Sequence, residues 1–159
     1  MAEQSEVPEL GPTSSSDYTH VERGERAARV RSTGHWFYWL AGLSLINSII
    51  VYAGGQWSFL FGLGLTQVVD AILVAAMDEG LRTLGIAVAL CINLMIALLF
   101  CFFGLHAARG KAWAFVVGGL LYLGDALLLL WVQDYLSLAF HVWVLFQLGR
   151  GLQAVREGA

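Results

Sequence analysis

Long apolar runs separated by short polar connections make up most of the chain, and this pattern predicts an all-α polytopic membrane protein. Five apolar runs follow a polar N-terminal stretch: 35–53, 57–77, 84–105, 112–132 and a last run that begins near 135. Each run is close to the roughly 20 residues that a helix needs to cross the hydrocarbon core of a bilayer. Helices are expected because a chain inside a bilayer has to satisfy its backbone hydrogen bonds within itself.

The second run, 57–77, decides how many times the chain crosses the membrane. It is interrupted by Gly62 and Gly64, and it carries an aspartate at Asp70. We therefore predict four transmembrane helices plus one re-entrant or interfacial helical segment at 57–77. Five transmembrane helices is the alternative. In both arrangements residues 35–155 form a single transmembrane helical bundle.

The distribution of basic residues favours four crossings, because cytoplasmic loops carry an excess of Lys and Arg. With four crossings and a cytoplasmic N-terminus, eight basic residues lie inside and only Arg82 lies outside. The eight are Arg23, Arg26, Arg29, Arg31, Arg109, Lys111, Arg150 and Arg156. With five crossings the count is five inside against four outside. We thus predict that both termini are cytoplasmic and that the protein lies in the plasma (inner) membrane.

The polar N-terminal stretch, 1–34, is predicted to be a largely disordered cytoplasmic tail. It holds ten of the 21 charged side chains, and its first 20 residues contain both prolines and a Ser/Thr cluster. Residues 21–31 form a basic juxtamembrane segment that is expected to lie as a short helix on anionic headgroups. Its membrane-surface basic residues are Arg23, Arg26, Arg29 and Arg31.

Composition and charge narrow the class of protein. The chain is 58% hydrophobic and 13% charged, with a net charge of −3, whereas a soluble domain is about 25% charged. These values argue against a soluble enzyme, a disordered chain and a basic nucleic-acid binder. The expected partners are the lipid bilayer, anionic headgroups, and a membrane protein partner or a second copy of the chain, with no nucleic acid.

Ionisable residues inside apolar runs are the candidate functional residues, since burying them in a bilayer is costly. Asp125 and His141 each lie about eight residues from the Gln133–Asp134 turn, at 1.5 Å per residue about 12 Å into the span, so we name them as a pair. Other polar residues are expected at the same depth, with Tyr122 and Tyr135 nearby. The candidate intramembrane polar cluster comprises Asp70, Asp125, His141, Asn47, Asn93 and Gln67.

Each member of this cluster also has a structural interpretation. Asn47 and Asn93 resemble the small polar residues that hold transmembrane helices together. His141 is compatible with a buried histidine whose hydrogen bonds are satisfied. Asp125 is as compatible with a structural role, either neutral or paired with a histidine, as with a functional one. Asp70 is compatible with a position at the hydrated interface of the membrane.

Catalytic motifs are not recognised in the chain. The sequence before Asp125 resembles the GxGD signature of intramembrane aspartyl proteases, but Tyr122 stands where the first glycine belongs. The HExxH metal motif and the phosphate-binding glycine loops do not occur. We predict no catalytic residue, metal or cofactor. The expected function is a non-enzymatic accessory, interaction or scaffold role. The alternatives are proton- or cation-coupled transport through the Asp/His pair, and a membrane-embedded enzyme acting on a lipid or quinone-like substrate.

Overall fold

The computed structural model describes residues 15–53, 63–75 and 79–158. These residues are helical and contain no strand, so the all-α prediction is confirmed. The helices are α1 (Ser15–Gly34), α2 (Trp36–Tyr52), α3 (Gly64–Ala75), α4 (Arg82–Ala108), α5 (Ala112–Trp131) and α6 (Tyr135–Arg156), with a short 3-10 turn at Glu79–Leu81. Four of the five predicted apolar runs coincide with α2, α4, α5 and α6 to within a few residues.

Helix α1 corrects the prediction for the N-terminal stretch. It spans 20 residues from Ser15, so it contains the short helix expected at 21–31 and extends it to residues 15–20, which belong to the part of the tail that was expected to be disordered. Residues 1–14 lie outside the described residues. The helix packs on α4 and α6 and buries Val30 and Thr33. The basic segment 21–31 is therefore part of a helix docked on the bundle.

Close packing fixes α1 in this position. A Cβ at Gly34 would lie 2.6 Å from the backbone nitrogen of Ala108, and one at Gly151 would collide with the Thr33 hydroxyl. Glycines of this kind allow helix backbones to approach one another more closely than larger residues permit. The charged sequence of α1 is thus held by tertiary contacts with two apolar helices.

Helices α2 and α4 run antiparallel, because Ser48 contacts Asn93 near one end and Phe37 packs on Gly104 near the other. Around Phe37 the two helices and α5 form an aromatic core, with Phe100, Phe103 and Phe115 at ring-centroid distances of 6.2 to 6.3 Å. Buried polar side chains occupy the opposite half of α2. The bundle therefore has an apolar half and a polar half.

Helix α3 runs parallel to α2, although the two follow one another in the sequence. Ser44 pairs with Thr66 and Ser48 pairs with Asp70, so four residues forward on α2 correspond to four residues forward on α3. Consecutive parallel helices require the chain to turn back between them. In this register Gly64 lies level with Gly42, so α3 begins about 15 Å, or ten residues at 1.5 Å each, behind the level where α2 ends at Tyr52.

The α5–α6 connection is a tight turn, as the sequence predicts. Gln133 adopts a positive φ of 63°, and the Asp134 side chain accepts a hydrogen bond from the Ser137 N–H at 3.1 Å. A side-chain acceptor at this position satisfies one of the free N–H groups at a helix start. The turn aligns α5 and α6 as an antiparallel hairpin.

Two helices, α4 with 27 residues and α5 with 20, are long and apolar enough to cross a membrane by length and composition. Both present large apolar side chains on the outside of the bundle: Met95 is 71% exposed and Leu120 is 62% exposed. A shorter apolar stretch, Gly64–Leu73, lies within α3.

Candidate functional site

The α5–α6 hairpin brings Asp125 and His141 into contact. His141 Nε2 lies 2.8 Å from Asp125 Oδ2. His141 is fully buried, and Asp125 is 5% exposed. The sequence predicts this pair, because the two residues lie at equal distances from the α5–α6 turn.

The hydrogen bonds of His141 show how many protons the pair holds. Its Nδ1 lies 2.8 Å from the carbonyl oxygen of Ser137, and a carbonyl oxygen only accepts, so we assign a proton to Nδ1. A further proton has to lie between Nε2 and the Asp125 carboxylate, because otherwise two acceptors would face each other at 2.8 Å. Whichever atom carries that proton, the pair as a whole is electrically neutral. A neutral pair is far less costly to bury than a single charge.

Asp125 also caps the start of α3. Its Oδ2 accepts a hydrogen bond from the Gly64 N–H at 2.8 Å, and its Oδ1 accepts one from the Leu65 N–H at 2.6 Å. The first N–H groups of a helix have no partner within the helix, and the helix dipole makes this end favourable for an anion. The acceptor here is supplied by a different helix, 61 residues further along the chain.

The absence of a side chain at Gly64 permits this approach. A Cβ there would lie 3.0 Å from Cγ and Cδ2 of Leu129 and 3.5 Å from Asp125 Oδ1. A larger residue would push the start of α3 away from α5 and lengthen both hydrogen bonds. Sequence reasoning identified Gly64 as an interruption, and the structure gives it a second role as a point of close contact.

Asp70 forms a second buried centre, further along α3. Its carboxylate accepts hydrogen bonds from Ser48 Oγ at 2.9 Å, from Tyr52 Oη at 2.5 Å and from Asn93 Nδ2 at 2.6 Å. Asn93 Nδ2 also donates to Ser48 Oγ at 2.8 Å. Three donors from α2 and α4 thus surround a carboxylate that is only 2% exposed.

Thr66 connects the two centres. Its hydroxyl lies 2.8 Å from Ser44 Oγ and donates to the Leu63 carbonyl oxygen at 2.7 Å, between the capped start of α3 and Asp70. We call the whole arrangement the polar seam. Its side chains are those of Ser44, Ser48, Tyr52, Thr66, Asp70, Asn93, Asp125 and His141.

Tyr122 closes the seam on the side of α5. Its ring is stacked on the His141 ring, with centroids 4.4 Å apart and an angle of 13° between the planes. The ring is fully buried, and its hydroxyl makes no hydrogen bond to another described residue. The imidazole is therefore held by Ser137 and Asp125 in its plane and by Tyr122 on one face.

The six residues of the predicted cluster are thus distributed over two centres and their surroundings. Asp125 and His141 form one centre, and Asp70 and Asn93 belong to the other. Asn47 is fully buried on α2, between Ser44 and Ser48. Gln67 instead is half-buried beside a small surface pocket lined by α3 and α5. Tyr135, expected nearby, is 65% exposed.

Sequence reasoning missed the donors that make the centres. Neither Tyr52 nor Ser48 was singled out as a donor, and the N–H groups of Gly64 and Leu65 carry no side-chain signal. One signal was available. Ser44 and Ser48 have the same spacing of four as Thr66 and Asp70. Residues four apart lie on one face of a helix, so the two pairs can face each other.

The four arginines of segment 21–31 are not equivalent. Arg23, Arg26 and Arg31 line a pocket with Arg109, the residue after α4. Arg29 does not line that pocket and is exposed. The segment therefore presents three of its arginines to one place.

Within the described residues, no group of three or more His, Cys, Asp or Glu side chains could hold a metal ion. We find no match for the chain among protein-family models, curated proteins or solved structures.

Proposed function

We propose that the protein is a multi-pass membrane protein in which α2, α4, α5 and α6 cross the bilayer and α3 enters and leaves on one side. At 1.5 Å per residue, the 17 residues of α2 and the 22 of α6 reach about 25 and 33 Å, close to the roughly 30 Å of a hydrocarbon core. The 12 residues of α3 reach only about 18 Å. Its parallel course beside α2 supports a segment that dips in and returns.

In this arrangement both termini and the α4–α5 turn lie on the cytoplasmic side of the plasma (inner) membrane. The support is the excess of basic residues at that end of the bundle, eight against Arg82 alone at the other. The buried carboxylates Asp70 and Asp125 lie in the outer half.

Two cysteine variants test this topology. With four spans residue 80 lies outside the cell and residue 111 inside, and with five spans the two positions are exchanged. Gly80→Cys and Lys111→Cys would be made separately in a Cys91→Ser/Cys101→Ser background, since these are the two cysteines of the chain. In intact cells, a membrane-impermeant maleimide should label position 80 and leave position 111 unlabelled until the cells are opened. Labelling at 111 alone would establish five spans and overturn the proposal.

Within this topology we assign the protein a non-enzymatic accessory or scaffold role, in contact with another membrane protein or a second copy of itself. One observation carries this assignment: the Asp125 carboxylate occupies the N-terminus of α3. In many transporters a half-helix N-terminus inside the membrane binds an anionic group of the substrate. Here the chain supplies that anion itself, which makes the polar seam a device for anchoring a half-helix.

Purification in native lipid tests the accessory role, followed by mass spectrometry of the intact assembly. We expect a homo-oligomer or a second membrane protein in fixed stoichiometry, retained in an Asp125→Asn variant that still folds. An exclusively monomeric chain without such a protein would refute the assignment.

Proton- or cation-coupled transport is the second candidate, and the proton shared between Asp125 and His141 favours it. A shared proton can shift between Nε2 and the carboxylate without creating net charge, as relays in membranes require. Proteoliposomes containing a pH-sensitive dye distinguish the candidates. If the protein is an accessory protein, the interior of vesicles that contain the wild type or Asp125→Asn should acidify no faster than the interior of empty vesicles. A flux that the wild type has and Asp125→Asn lacks would replace the accessory role with transport.

A further inference from the structure

A pocket of about 430 Å³ lies where α1 passes the α4–α5 turn and the end of α6. Four arginines line it: Arg23, Arg26 and Arg31 from α1, and Arg109 from the turn. Small and branched apolar side chains of α1, α4 and α6 form the rest of the wall, with two glycines. The volume falls within the range of about 300–1,000 Å³ that is usual for small-molecule sites.

The charge in this pocket has one sign. None of the residues that line it is acidic, and the Glu157 carboxylate beside it accepts a hydrogen bond from Gln153 Nε2. The C-terminal ends of α4 and α6 also face the pocket, and each contributes roughly half a negative charge. Four full positive charges exceed these two partial charges about fourfold, so the pocket remains strongly attractive to anions.

The pocket is already formed in the folded chain. Arg26 Nη1 donates to the Glu157 carbonyl oxygen at 3.0 Å, which ties α1 to the end of α6. The close contacts of Gly34 with Ala108 and of Gly151 with Thr33 fix the C-terminal end of α1. A ligand would therefore meet arginines whose backbones need no rearrangement, which lowers the cost of binding.

We propose that this pocket binds a phosphate-bearing anion, as the headgroup of an anionic phospholipid or as a free phosphate. The planar guanidinium group binds phosphate through paired N–H donors, and arginine is favoured for that geometry. The lipid source depends on the proposed membrane topology, which puts Arg109 at the cytoplasmic surface beside α1. The phosphate chemistry does not depend on it.

The test compares two double variants of the full chain that lose the same charge. Arg23→Gln/Arg109→Gln removes two arginines that line the pocket. The side chains of these two arginines take part in none of the hydrogen bonds described above. Arg29→Gln/Arg150→Gln removes two exposed arginines that do not line it. Native mass spectrometry measures retained phosphatidylglycerol against phosphatidylcholine, and calorimetry in detergent measures inorganic phosphate. Thermal unfolding confirms that both variants are folded.

We expect the pocket variant to bind its phosphate-bearing ligand about a hundredfold more weakly, or about tenfold per arginine at 1.4 kcal/mol each, and the control to match the wild type within about twofold. Arg109→Lys, which keeps the charge and loses the paired donors, should lie between them. One phosphatidylglycerol retained per chain identifies a lipid headgroup as the ligand. Saturable binding of inorganic phosphate without a lipid preference identifies a free phosphate.

Two results would overturn the proposal. One is that neither probe binds the wild type. The other is an equal loss in both double variants, which would mean that general surface charge attracts the anion. Because the phosphate measurement is made in detergent, a failed topology test would leave it intact, and the two proposals can fail separately.

Discussion

The cap that Asp125 provides for α3 makes a quantitative prediction about two substitutions at that position. Asp125→Ala removes the acceptor of both N–H groups, Gly64 at 2.8 Å and Leu65 at 2.6 Å, and the partner of His141. Breaking a buried pair by deleting one member costs about 3–5 kcal/mol. The alanine variant should therefore lose at least that much of its free energy of unfolding.

Asp125→Asn should cost less, because the His141 pair is neutral. A neutral His141 that keeps its proton on Nδ1 can accept a hydrogen bond at Nε2 from the asparagine NH₂ group. The amide oxygen can still accept from Leu65, so only the Gly64 N–H loses its acceptor. One buried donor without a partner costs about 1–3 kcal/mol, so we expect the order wild type, asparagine, alanine.

Reversible unfolding in mixed detergent–SDS micelles measures these free energies. Glu157→Gln is the matched control, since it makes the same carboxyl-to-amide change at an exposed position whose side chain accepts a hydrogen bond from Gln153. We expect the control to change the free energy by less than about 1 kcal/mol. An alanine variant as stable as the wild type would refute the cap. An asparagine variant as unstable as the alanine variant would refute the assignment of a neutral Asp125–His141 pair with one shared proton.

Three further predictions concern other contacts of the bundle. In a double-mutant cycle, the variant that carries both Asp125→Ala and His141→Ala should lose less free energy of unfolding than the sum of the two single losses, with a coupling of about 0.5–3 kcal/mol. Additive losses would show that the 2.8 Å contact contributes nothing to stability. Tyr52→Phe should cost about 1.5–3 kcal/mol of stability, because it removes a donor to the Asp70 carboxylate. Tyr135→Phe, at an exposed position, should leave the stability unchanged, and equal effects of the two substitutions would contradict the role of Tyr52 as a donor to Asp70. Gly118→Ala should destabilise by about 1–3 kcal/mol, because its Cβ would lie 2.7 Å from the Phe37 ring. Its neighbour Gly119 has open space around it, so Gly119→Ala should be neutral or stabilising by up to about 1 kcal/mol, and the two variants can be compared by thermal unfolding.

The helices of the bundle were predictable to the extent that their residues alone explain them. Helices α2, α4, α5 and α6 are long uncharged or nearly uncharged runs, and the α5–α6 hairpin follows from one short turn. For helix α1 only residues 21–31 were predicted to be helical, and its docking on the bundle was missed because its sequence is polar and lacks an apolar stripe. Its docking depends on Gly34 and Gly151, which lie in different helices and become neighbours only in the folded bundle.

The candidate site divides in the same way. Depth along the α5–α6 hairpin was enough to pair Asp125 with His141. The partners of Asp70 could not be derived, since they require the order and direction of α2, α3 and α4. The cap of α3 was still harder to predict from the sequence, because Asp125 binds backbone N–H groups, and these are the same in every residue but proline.

The distance in sequence between α3 and its cap also governs the order in which the chain can mature during synthesis. Asp125 is made 61 residues after Gly64, a delay of about 3–12 s at the usual rates of elongation. Until then α3 lacks the acceptor for its first N–H groups, and Asp70 waits 23 residues for Asn93. The start of α3 is therefore completed only after α5 has been made, although α3 is the third helix of the chain. A nascent chain cut short before α5 would keep an α3 whose first N–H groups lack the acceptor that Asp125 provides.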